Sequence, residues 1–72
     1  MDLSTTSRGF AVATFIDRYG EPCSLQKSSL AGEDCIWLGS FGAAGARMHL
    51  TQEMVEKLIP LLKRFVETGE LS

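Results

Sequence analysis

The chain has 72 residues, a formal net charge of −2 at pH 7, 44% hydrophobic residues and two cysteines. That length holds one domain, and the acidic balance speaks against a general grip on nucleic acid, which needs a basic patch. No apolar run approaches the ~20 residues of a membrane span, so a cytoplasmic protein that does not enter a membrane is expected.

Residues 1–8 lack the apolar stretch of a signal peptide and read as a disordered lead. Residues 9–72 read as a single α+β domain. The first strand spans about 9–18, where Phe10, Val12, Thr14 and Ile16 alternate with Ala11, Ala13, Phe15 and Asp17. A two-residue turn at Tyr19-Gly20 leads into a polar second strand, about 23–30. A four-residue turn, Ala31–Asp34, precedes a third strand at about 35–39, with Ile36 and Leu38 against Cys35 and Trp37. Small residues make 40–45 a flexible loop. A short fourth strand at about 46–50 would point Arg47 and His49 outward.

The clearest pattern follows, over about 52–68. Met54, Val55, Leu58, Ile59, Leu61, Leu62, Phe65 and Val66 keep the rhythm of an amphipathic helix, in a stripe roughly 160° wide. Thr51 is a suitable N-cap, Gly69 a suitable left-handed stop, and Glu53–Lys57 a favourable pair. Met54 stands where a capping box would need Glu or Gln. The stripe crosses Pro60 without changing phase, so one kinked helix is expected rather than two. The fold class is therefore α+β: an antiparallel meander of three strands, four if 46–50 pairs, packed on one C-terminal helix.

The two turns assign the faces. With Tyr19-Gly20 and Ala31–Asp34 as loops, Phe10, Val12, Thr14, Ile16, Cys23, Leu25, Ile36 and Leu38 share the helix-covered face. Phe15, Gln26, Cys35 and Trp37 fall on the other face, which one helix cannot cover. A one-residue slip in either turn would scramble this assignment. Aromatic groups in a polar rim suit a contact surface, so Phe15, Gln26 and Trp37 are its candidate residues. Lys27, Arg47 and His49 are candidates for an anionic ligand or a partner carboxylate.

No nucleophile motif or phosphate loop appears, and no enzyme is expected. Cys23 and Cys35 fall on opposite faces and should stay reduced, and with one His they make a poor metal site. No metal and no cofactor are expected. A domain this small without a staple calls for a homo-oligomer on physical grounds.

Two stretches carry a resemblance. One is Ser24-Leu25-Gln26-Lys27-Ser28-Ser29-Leu30-Ala31 followed by Asp34-Cys35-Ile36-Trp37-Leu38-Gly39. The other is Arg47-Met48-His49-Leu50-Thr51 followed by Leu58, Pro60, Leu62, Phe65 and Thr68-Gly69-Glu70-Leu71. Together they resemble a group of small bacteriophage- and prophage-encoded proteins of unknown function, whose longer members carry an insertion where residues 40–46 lie here. The resemblance implies an accessory protein of the bacterial cytoplasm and supplies no catalytic residues. The expected function is non-catalytic binding that inhibits a host protein, such as a defence protein. The alternative is an oligomeric sponge for a small anionic ligand such as a nucleotide.

Overall fold

The computed structural model describes residues 1–40 and 47–72. Strands β1 (Leu3–Thr5), β2 (Ala11–Ile16), β3 (Pro22–Leu30) and β4 (Glu33–Ser40) form one antiparallel sheet in the order β1-β2-β3-β4. Helix α1 (Gln52–Thr68) packs on one face, so the fold is α+β, as the pattern predicts.

The fourth strand comes from the other end of the chain. Leu3–Thr5 pairs with β2, which corrects the reading of 1–8 as a disordered lead. Residues 47–50 form no strand. The backbone of this segment bonds to a turn instead: His49 N–H donates to Asp17 Oδ2 at 3.0 Å, and His49 C=O accepts from Arg18 N–H at 2.8 Å. Ser40 belongs to β4. The rest of the expected loop, 41–45, and residue 46 lie outside the described residues.

The β2–β3 connection has three residues beyond its closing pair, not two. Asp17 N–H donates to Glu21 C=O at 2.9 Å, and Gly20 N–H donates back to Asp17 C=O at 3.1 Å with Gly20 at φ 83°. This is a tight turn followed by a left-handed glycine. The Asp17 side chain holds the longer loop, accepting the N–H of Tyr19 at 2.9 Å and of Glu21 at 3.0 Å on one oxygen. The β1–β2 loop repeats the device. Thr6 exchanges with Phe10 as Asp17 does with Glu21, Gly9 N–H donates to Thr6 C=O, and Thr6 Oγ1 accepts Phe10 N–H at 3.0 Å. In both loops a short polar side chain stands three residues before a glycine and accepts the amide four residues on.

That extra loop residue reverses β2. Phe15 pairs with Cys23 and Ala13 with Leu25, so Ala11, Ala13 and Phe15 face the helix. Phe10, Val12, Thr14 and Ile16 face the open side, opposite to the expectation from a two-residue turn. The β3–β4 connection is shorter than expected: Leu30 pairs with Glu33 across Ala31-Gly32, both at positive φ. The difference there is two residues, so Leu25 and Leu38 still share one face, and Gln26 and Trp37 the other.

Helix α1 is continuous through Pro60. Thr51 Oγ1 accepts Met54 N–H at 3.2 Å, and Met54 Sδ stands 3.5 Å from Thr51 N–H. The thioether thus takes the carboxylate's place in a capping box, as a weak acceptor. Gly69 caps the end at φ 77° and turns the chain so that Leu71 enters the core beside Leu25 and Leu58. The left-handed φ favours glycine here, and a Cβ on Gly69 would lie 2.6 Å from Asp34 Oδ2, so the exposed Asp34 side chain would have to move aside.

Candidate functional site

The strand registers place one row of side chains across the open face. Trp37 stands opposite Gln26, Gln26 opposite Val12, and Val12 opposite Ser4. Residues on this row project away from α1, because successive strand residues alternate between faces. Trp37 remains 68% exposed. Beside it lies an open depression of about 510 Å³ bordered by Arg8, Phe10, Gln26, Lys27, Ser28, Ser29 and Trp37. The three-residue loop 7–9 carries Arg8 to the rim, and the pairing of Thr6 with Phe10 fixes where Phe10 emerges. The site thus sets Phe10 and, on the edge strand, Trp37 among polar residues, with Arg8 and the ion-paired Lys27 also on its border.

Of the predicted residues, the structure brings Gln26 and Trp37 together as direct cross-strand partners. Phe15 is corrected: it faces the helix and packs against the core cluster. Lys27 is corrected as well. It is only 5% exposed and lies on the helix side, where its Nζ donates to Ser28 C=O and Asp34 Oδ1, both at 3.1 Å, and lies 3.6 Å from Glu70 Oε2. The hydrogen bond that it donates to Asp34 and the negative charge of both carboxylates raise its pKa despite burial. Its charge ties the third and fourth strands to the end of the helix and is not offered to a ligand.

Arg47 and His49 lie at the opposite end of the sheet, around the Asp17 turn. They are exposed there with Tyr19 and Glu21, and the His49 and Tyr19 rings are 4.6 Å apart. Asp17 is buried, and its carboxyl is held below the ordinary value of 3.8, chiefly by the His49 and Glu21 amides, against an opposing push from burial. It is a structural clasp whose two oxygens are occupied by backbone donors.

Phe10, Arg8 and Val12 belong to the open face and were assigned to the covered face or to the lead by the sequence reading. The Asp17-x-x-Gly20 spacing was the signal that would have placed Phe10 and Val12 correctly. Cys23 is buried on the helix face and burial pushes its thiol up, which makes it a weak nucleophile; Cys35 is half-buried on the open face, and both are free. Among the described residues no group of three or more His, Cys, Asp or Glu could hold a metal ion, and no helix is long and apolar enough to cross a membrane.

No family model, no curated protein and no solved structure matches the chain. The functional reading therefore rests on the open face itself.

Proposed function

We propose that this chain is a non-catalytic binding protein that contacts another protein through its open sheet face. The observation that carries the reading is Trp37, 68% exposed on the edge strand of a polar-rimmed face and paired in register with Gln26. Exposed tryptophan costs hydration and contributes no core here, whereas at an interface it is among the strongest anchors. Phe10 and Val12 extend the apolar patch, and Gln26 and Ser28 offer donors and acceptors at its rim. The resemblance to small phage-encoded proteins supports a host protein as the partner, for instance a defence protein that the contact would inhibit.

Arg8 beside Phe10 and Trp37 favours a second reading, a small anionic ligand stacked on the aromatic rings. The sponge first expected from Lys27 loses that cation, which is spent on Asp34 and Glu70.

The test is capture of a partner from bacterial extract by the immobilised chain, compared with Trp37→Ala. The substitution should abolish capture while helical circular dichroism and the melting transition stay unchanged. Collapse of the fold in Trp37→Ala would make the tryptophan a core residue and end the proposal. Native mass spectrometry separates the two readings: a small added mass on the purified protein supports the anionic ligand.

A further inference from the structure

The helix buries less of its apolar stripe than the pattern offers. Leu58, Leu61 and Phe65 turn to the sheet. Val55, Ile59 and Val66 remain 42%, 54% and 83% exposed. With Leu62, half-buried and packed on its inner side against the same core cluster, they form a single ladder, about a quarter turn around the helix from the core-facing line. On the opposite flank, Glu53 and Lys57 border a depression shared with Met1, Phe15 and Ile16, so that flank overhangs β2. The ladder therefore looks toward the β4 edge, where Leu38 on the same face is 40% exposed.

We propose that a second copy of this chain covers this flank, the two helices running antiparallel about a two-fold axis. The spacing of the ladder is the same read from either end, as a two-fold contact requires. Val55 then meets Val66 of the partner subunit, and Ile59 meets Leu62 of the partner subunit. The charges agree with this direction. Glu56 and Lys63 each follow a ladder residue by one position, on the solvent rim, and neither has an ion pair among the described residues. Antiparallel packing sets Glu56 beside Lys63 of the partner subunit, twice per dimer. Parallel packing would set these charges against the positions of Leu58 and Phe65, which are committed to their own core.

The size of the core supplies a reason for the contact. Among the described residues the buried apolar ones are Ala13, Cys23, Leu25, Leu58 and Leu71, and both cysteines are free. Domains of this length without a disulfide or metal commonly draw stability from a partner subunit. The contact leaves the Trp37 face of each copy free, so the dimer and the binding surface are independent features.

Multi-angle light scattering across a concentration series tests the proposal. The native chain should be a dimer, and Ile59→Glu a folded monomer with helical dichroism intact. Glu56→Lys alone should weaken the dimer about tenfold, by losing two exposed ion pairs and adding two repulsions. Adding Lys63→Glu to it should restore the native affinity, which only antiparallel pairing predicts. A monomeric native chain overturns the proposal. So does a dimer that survives Ile59→Glu but dissociates in Trp37→Ser, which would place the self-contact on the open face.

Discussion

The two faces of one sheet follow different rules. On the helix side, Leu25 and Ala13 are fully buried, and even the polar Lys27 is nearly hidden and matched by two carboxylates. On the open side, the equivalent row presents Trp37 to solvent beside glutamine and serine. The same backbone thus carries a face chosen for burial and a face that burial does not explain. The comparison teaches that burial does not account for the place of the largest side chain in the protein.

The sharpest way to break this comparison is to truncate one large residue on each face. Leu25→Ala should destabilise the chain by about 2–5 kcal/mol, since it removes buried methylenes and leaves a cavity. A domain of this length has roughly 4–11 kcal/mol of stability in all, so chemical denaturation should show a large shift in midpoint. Trp37→Ala should leave that midpoint nearly where it was. Equal losses from the two substitutions would mean that the faces are energetically alike and that Trp37 is structural.

A smaller effect is expected where the faces are assigned, at the Asp17 clasp. Its carboxyl binds a proton more weakly in the folded chain than in the unfolded one. The unfolded state therefore gains protons first as pH falls. The stabilisation is fully present above the ordinary aspartate value of 3.8 and is lost as pH drops through the lowered folded value. Denaturation midpoints measured from pH 6 downward (on the order of one unit apart) should fall more steeply for the native chain than for Asp17→Asn. Identical pH profiles would remove the clasp from the stability of the fold.

Most of the architecture was legible because helix periodicity is redundant. Eight apolar positions, a threonine cap and a closing glycine all mark the same element, and a single proline could not mask it. Sheet faces have no such redundancy. One loop residue decides the side on which all of β2 lies, and Asp17 signals that residue through side-chain bonds that alternation cannot show. The error put Phe15 on the candidate site and hid Phe10 and Val12, whereas the two-residue error at Ala31-Gly32 cost nothing. Leu3–Thr5 was too short and too polar to announce itself, and it is a strand only because β2 offers an edge. Burial of Lys27 was illegible for another reason: its partners Asp34 and Glu70 converge only after the helix has been capped at Gly69.

The smallest expected effect concerns the turn that keeps Trp37 opposite Gln26. Ala31 holds φ 51°, a conformation that costs an alanine roughly 1–2 kcal/mol and costs asparagine or glycine less. Together with Gly32 at φ 88° it forms the two-residue turn for which Asn-Gly is the preferred pair. Ala31→Asn should therefore stabilise the chain by about 0.5–1 kcal/mol, a rise of roughly 2–8 °C in Tm for a domain of this size. Because the residue touches neither the core nor the depression beside Trp37, partner capture should be unchanged. A gain in Tm without a change in capture would separate the register, which both faces share, from the contact that only one of them makes. A fall in Tm would mean that the strain at Ala31 is not relieved by asparagine and that the hairpin is held by its strand pairs alone.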